Sequence, residues 1–188
     1  SELCPGGTGH TCRLSAGEHS SLGFGDGISF TLDGDWIVRA NETDVISLES
    51  GVESNPSVLE LITGALRFES STPKTFHPVT DPTEVQRRLQ ALVMNDTHPI
   101  VSVRPGTTIG DAAALVFDVT TEHSLPLFWY PVTEHQSSLV SGRTARFLWS
   151  TRDGAPFIVA IESDTRQLDT LVEQVRPILD SLEFGDGD

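Results

Sequence analysis

Two Glu-His pairs are the first residues in this chain whose types and spacing could do chemistry. Glu122-His123 and Glu134-His135 close two copies of the tripeptide TEH, at 121–123 and 133–135. If the segment between them folds back, two carboxylates and two imidazoles would offer mixed oxygen and nitrogen ligands to a metal ion. Neither pair has the i, i+4 spacing of a helical HExxH site, and no third anchor accompanies them. Charged residues flanking an apolar strand are also ordinary loop chemistry, so the pairs stand between a metal site and a solvated loop. Acidic turns at Asp26, Asp33 and Asp35 add oxygen donors suited to a weakly held divalent cation such as Ca²⁺. They miss the EF-hand spacing, and turns favour Asp in any case. No other cofactor is indicated.

Signals for nucleophilic catalysis are weaker. Ser71-Thr72-Pro73-Lys74 has S-x-x-K spacing, but that motif works only where it opens a helix and companion motifs close the site. Here a proline-punctuated loop surrounds it. No G-x-S-x-G elbow is present. Gly23-Phe24-Gly25-Asp26-Gly27 has the composition of a phosphate loop, yet it leads into a strand, as a glycine-rich turn does. No residue is assigned a catalytic role.

Cys4 and Cys12 enclose PGGTGHT, rich in turn formers. Two cysteines eight positions apart across such a loop reach disulfide geometry easily, and closing it restricts the unfolded chain by about 2 to 3 kcal/mol. A disulfide implies an oxidising compartment. A metal site of Cys4, His10 and Cys12 is the rival reading, and it lacks a fourth ligand.

The stretch LPLFWYPV, residues 125–132, sets Phe128, Trp129 and Tyr130 side by side between two prolines. In an extended segment alternate side chains face opposite sides, so Phe128 and Tyr130 cannot share a face with Trp129. The strip is either a proline-bounded edge segment packed on a hairpin, or a binding groove using Trp129 or Tyr130 together with Trp149 and Trp36. At least one ring should be core, since burying it contributes roughly 1.5 to 3 kcal/mol.

Several elements must position these groups. Residues 1–16 read as a clamped, irregular arm, 17–184 as a single α+β domain and 185–188 as a solvated tail. Strands are expected at ISFTLD, at 36–39, 44–48 and 58–63, then at 100–103 and 112–120. Residues 68–82 read as a surface connection because Pro73, Pro78 and Pro82 punctuate them, and Pro105-Gly106 reads as a turn. A helix starts at Asp81-Pro82 with Glu84 completing a capping box; Val85, Leu89, Leu92 and Val93 form its apolar stripe. Asn95-Asp96 ends it. Residues 143–149 and 157–162 form a hairpin around Asp153-Gly154. A last helix is capped by Asp164 with Gln167 in the capping-box position, and Pro177 should kink it near Val175.

This order of elements resembles the fold shared by the photosystem II protein PsbP and the Ran-binding protein Mog1. The entry LSAGEHSSLGFGDGISFTLDGDW, the segment LPLFWYPV, the hairpin GRTARFLWSTRDGAPFIVAIE and the ending VRPILDSLEF more closely resemble secreted or lipoprotein domains of high-GC bacteria, over about residues 14–184. The longer N-terminal arm and Trp149-Ser150-Thr151 depart from that pattern. The resemblance implies an α/β/α sandwich with a mostly antiparallel sheet flanked by helices, and an export route. It implies no activity.

Composition sets the outer bounds. The 188 residues suit one domain. A formal charge of −15, from 27 acidic and 12 basic residues, argues against nucleic acid or an anionic membrane surface as partner. No run approaches the roughly 18 apolar residues that span a bilayer. A signal peptide is not recognisable, as in a mature form or an excised ectodomain. The leading expectation is a non-catalytic, extracytoplasmic accessory domain (secreted, periplasmic or at the cell surface) that binds a protein partner or membrane-associated complex. A small-ligand or metal-binding secreted protein comes next, with a pocket between the sheet and the helix at 82–95. A hydrolase using the Glu-His pairs ranks third.

Overall fold

Alternation of apolar and polar residues over short runs becomes three antiparallel sheets in the computed structural model, which describes residues 1–4, 11–50, 56–71, 74–93, 97–132 and 136–185. The strands of the first half are β1 (Cys12–Leu14), β2 (Gly17–Ser21), β3 (Ile28–Leu32), β4 (Trp36–Asn41), β5 (Val45–Ser50), β6 (Ser57–Thr63), β7 (Leu66–Ser71) and β8 (Lys74–Val79). Helix α1 (Pro82–Gln90) follows, then β9 (Ile100–Ile109), β10 (Ala112–Thr120), β11 (Leu125–Trp129), β12 (Gln136–Leu139), β13 (Arg143–Arg152) and β14 (Ala155–Asp164). Helix α2 (Leu168–Asp180) and the short β15 (Glu183–Phe184) complete the described chain.

The main sheet has the order β1-β4-β5-β6-β14-β13-β10-β9. Within it lies the β13–β14 hairpin, paired over its whole length from Arg143↔Asp164 to Arg152↔Ala155. Asp153 and Gly154 both take positive φ, 48° and 81°, which matches the right-handed twist of the strands in a two-residue turn. A smaller sheet, β12-β11-β7-β8, covers one face together with α1, and a third, β15-β3-β2, covers the other together with α2. Each outer layer thus combines one helix with a small sheet. Odd positions of β10 and β13, such as Phe117, Val119 and Phe147, pack under the four-stranded sheet. Even positions, Val116 and Leu148, pack under α2 with Phe30, Leu171 and Val175.

Several local expectations are corrected. Residues 68–82 contain a hairpin, β7–β8, instead of a loop; Pro78 is tolerated because β8 is the sheet edge among the described strands, where its missing N–H costs no ladder bond. Ser71 and Lys74 are paired across the ends of that hairpin, and neither opens a helix. Pro105-Gly106 is no turn: Arg104 pairs with Val116 and Thr107 with Ala114, so two residues of β9 oppose the single Leu115 in a β-bulge. Asp81 caps α1 by accepting from the Thr83 and Glu84 amides at 2.7 and 3.2 Å. The Glu84 carboxylate turns to Arg87 and Arg88 instead of closing a capping box. Val93 is exposed past the helix end, leaving Val85 and Leu89 as its buried stripe. Asp164 accepts from the Arg166 amide in a turn that precedes α2, and Gln167, the N-cap, makes no side-chain capping bond. The helix continues through Pro177.

Part of the N-terminal arm is ordered structure. Cys12–Leu14 is the edge strand β1, paired with β4, and Leu3 is buried in the core. Cys4 and Cys12 are joined, their Cα atoms 5.7 Å apart. The Asn41 amide donates to the Leu3 carbonyl and accepts from Ser21, fastening the arm to β4 and β2. His10 and Asn95-Asp96 lie outside the described residues.

Candidate functional site

The aromatic strip falls on β11, an inner strand of the four-stranded sheet between β12 and β7, and not on an edge. Phe128 and Tyr130 point inward and are buried, while Trp129 turns to the outer face. A bulge between Pro126 and Phe128 lets Leu127 join them in the core. Inside, Phe128 meets Phe147 and Tyr130 edge-on, with centroids 5.9 Å apart in each case. Outside, Trp129 pairs with Arg67 of β7 across the ladder. Its ring stands edge-on to Phe76 of β8, with centroids 5.2 Å apart and planes at 71°. The Arg67 guanidinium lies 5.4 Å from the centre of the Phe76 ring, a cation–π contact. Phe76 remains 42% exposed, so this pair is an aromatic surface with a cation attached.

Trp36 and Trp149 do not belong to it. Trp36 is buried on the α2 side of the main sheet, and Trp149 on the opposite side beneath the smaller sheet. The eight-stranded sheet separates them, so the groove anticipated from four aromatic residues is not assembled.

Behind the strip, a polar brace ties the two layers together. Tyr130 Oη donates to Glu60 Oε1 at 2.6 Å, and the Tyr130 carbonyl accepts from Arg67 Nε at 2.8 Å. Glu60 on β6 faces the same side as Glu162 on β14, which forms an ion pair with Arg143 at 2.5 Å. Arg143 also donates to the carbonyls of Pro56 and Glu162. Burial pushes the Glu60 carboxyl up to about 7; the Tyr130 hydrogen bond opposes this and the Glu162 charge adds to it. Burial raises Glu162 as well, against Arg143. The Tyr130 phenol is raised first by burial and then by the charge of Glu60, so it stays a neutral donor. Nothing local marked Glu60 for this role: LELIT reads as ordinary alternation.

Glu122 and His123 lie exposed in the connection from β10 to β11. Thr121 Oγ1 donates to the His123 carbonyl and Ser141 to that of Glu122, as in a plain turn. Glu134 and His135 lie outside the described residues. Asp26 lines a hollow with Phe24 and Arg152, whereas Asp35 lines another with Arg13 and Glu49, so these acidic turns are not drawn together. Among the described residues no three His, Cys, Asp or Glu side chains are grouped to hold a metal ion. A depression near the start of α1 is lined by Pro82, Ala113, Trp149 and Thr151. Among the described residues no helix is long and apolar enough to cross a membrane.

The sequence reading missed a second groove, between α2 and the β9–β10–β13 end of the main sheet, of about 270 Å³. Arg104, Arg146 and Arg176 line it, over Val116, Leu148 and Val172. Its local signals were present: Asp118 interrupts an otherwise apolar strand, and Asp169, Val172 and Arg176 recur at helical spacing.

No protein-family profile and no curated protein matches the chain. Among solved structures, it is similar to cyanobacterial PsbP (CyanoP) from Synechocystis sp. PCC 6803, at 14% identity and a TM-score of 0.42, covering 97% of this chain and 96% of that one. It is also similar to LpqN, involved in cell envelope biogenesis of Mycobacterium tuberculosis, at 13% identity and a TM-score of 0.35, covering 94% and 92%. At these scores the backbones superpose only loosely, and the likeness carries no functional information.

Proposed function

We propose that this chain is a non-catalytic, extracytoplasmic binding domain of the PsbP/Mog1-like kind, which docks a protein partner through the outer face of the β12-β11-β7-β8 sheet. The observation that carries the reading is the outward pair of Trp129 and Phe76, with Arg67 beside it, on a sheet whose inner face is fully used as core. Aromatic rings held rigidly at low entropic cost, next to a guanidinium, are the residue types that dominate interface energetics. The Cys4–Cys12 disulfide supports an oxidising location. The partner's complementary feature is an apolar side chain that packs against Phe76 and Trp129.

A double substitution, Phe76→Ala with Trp129→Ala, tests it. Capture of envelope proteins by the immobilised domain should fall at least about tenfold, since each hot-spot ring contributes on the order of 2 kcal/mol. Tyr130→Phe, which leaves the outer face intact, should capture the same proteins as the parent. Equal capture by the double variant, with its circular dichroism unchanged, would refute this face as the docking surface.

A further inference from the structure

We propose that the groove between α2 and the β9–β10–β13 end of the main sheet binds a small amphipathic anion, with an oxyanion head held by arginine and a short apolar body on the groove floor. The chain carries a formal charge of −15, yet three of its twelve cations converge on this one groove.

The β-bulge in β9 makes the convergence possible. In a regular strand Arg104 and Thr107, three residues apart, would point to opposite faces. The extra residue at Pro105-Gly106 restores both to the α2 face, opposite Val116 and Ala114. Across the sheet, Asp118 stands beside Arg146, and Leu148 beside Val116. From above, Asp169, Val172 and Arg176 project from one side of α2 into the same space.

The charges do not cancel. Asp118 is buried and saturated: its Oδ1 accepts from Arg146 Nε and its Oδ2 from Arg104 Nε, each at 2.7 Å, with Arg146 Nη2 at 3.0 Å. Asp169 touches Arg146 at 3.1 Å, but its side chain is 90% exposed, so solvent screens it. Among the described residues Arg176 donates to neutral acceptors, the Thr108 carbonyl at 3.3 Å and Thr107 Oγ1 at 3.2 Å. Counting Arg104, Arg146 and Arg176 against Asp118 and Asp169 leaves a net excess of one positive charge at the groove, with the exposed Asp169 the weaker of the two counter-charges. Arg104 uses its Nε on Asp118, and its side chain is 51% exposed, which leaves its terminal nitrogens accessible. Two guanidiniums with free donors over an apolar floor of Val116, Leu148 and Val172 match a carboxylate or phosphate joined to a short hydrocarbon. The volume, about 270 Å³, sits at the small end of ligand clefts and limits the body to a single short alkyl chain. The strong negative charge of the whole chain disfavours an anionic bilayer as the source, so the ligand is a soluble small molecule.

Calorimetric titration of the full chain at low salt, with octyl phosphate below its micelle concentration, inorganic phosphate and octanol, tests this. Octyl phosphate should bind at least about tenfold more tightly than either half alone, and the affinity should fall as salt is raised. Arg176→Gln and Arg104→Gln should each weaken it about tenfold or more, with Arg176→Lys intermediate and Arg87→Gln on α1 without effect. Among the described residues Arg176 bonds to Thr107 and Thr108, and Arg146 still holds Asp118 by two bonds when Arg104 is replaced, so these variants keep the fold; Arg146→Gln would remove both of those bonds and is avoided. No binding of octyl phosphate, equal binding of inorganic phosphate, or affinity indifferent to both Arg→Gln changes would each overturn the proposal. So would co-flotation with phosphatidic acid vesicles in the absence of octyl phosphate binding.

Discussion

Replacing Glu60 by Gln isolates the cost of holding an ionised carboxylate between the two layers. Burial pushes this carboxyl from 4.5 up to about 7, with Glu162 adding to the effect and Tyr130 opposing it. A folded-state value above the unfolded one means that the folded protein holds the proton more tightly. The associated stability is therefore complete below about pH 4.5, and it is lost as the pH rises through about 7. At about 1.4 kcal/mol per pH unit, the interval amounts to about 3 kcal/mol. Gln keeps the shape and an acceptor for Tyr130 Oη, and it carries no charge at any pH. Urea unfolding of the parent and Glu60→Gln between pH 4 and 8 should show the variant gaining about 3 kcal/mol relative to the parent across that range. Taking the difference cancels the carboxylates that do not interact with Glu60, among them Glu84, which hydrogen bonds from Arg87 and Arg88 hold at about 2. Urea is preferred to guanidinium because it leaves the ionic strength unchanged. A difference that stays constant within about 0.5 kcal/mol would refute the reasoning, because Glu60 would then titrate like a solvated carboxylate.

Tyr130→Phe removes the donor to Glu60 and should cost about 1 to 3 kcal/mol, more at pH 8 than at pH 4 because the ionised acceptor loses most; urea unfolding at the two pH values checks it. Phe128→Ala should cost about 3 to 5 kcal/mol by the same assay, against less than about 1 for Phe76→Ala, since only the first ring is core. Gly154→Ala places a Cβ at a φ of 81° and should lower stability by about 1 kcal/mol or more. The aromatic face and the arginine groove lie on opposite sides of the main sheet, so Phe76→Ala with Trp129→Ala should leave octyl phosphate affinity unchanged in calorimetry.

What the sequence disclosed is what local chemistry decides. Asp153-Gly154 specifies a turn whose backbone few other residue pairs adopt, and the hairpin followed. Asp81-Pro82 specifies a helix start, and strict alternation placed Trp129 opposite Phe128 and Tyr130. Proline misled the reading twice for one reason: Pro78 and Pro105 both sit on edge strands, β8 and β9, where a missing N–H costs no ladder bond. Edge or centre is a property of the assembled sheet, and no window of sequence contains it.

The same limit explains the candidate sites. Trp36 and Trp149 look equivalent in the chain, yet whole-sheet pairing puts them on opposite faces. Glu60 looks solvated until Tyr130, 70 residues later, closes over it. The arginine groove needs a bulge in β9, a buried acid on β10 and a helical stripe on α2 at once. Each is ordinary alone: a Pro-Gly pair, an Asp in an apolar run, a charged residue one helical turn after a valine. Their conjunction has a direction, however. A buried Asp118 held by two arginines draws cations to one spot in an acidic protein, and the bulge prevents β9 from turning Thr107 away from them. A purely structural ion pair would need one arginine; the second and third are what make the groove electropositive.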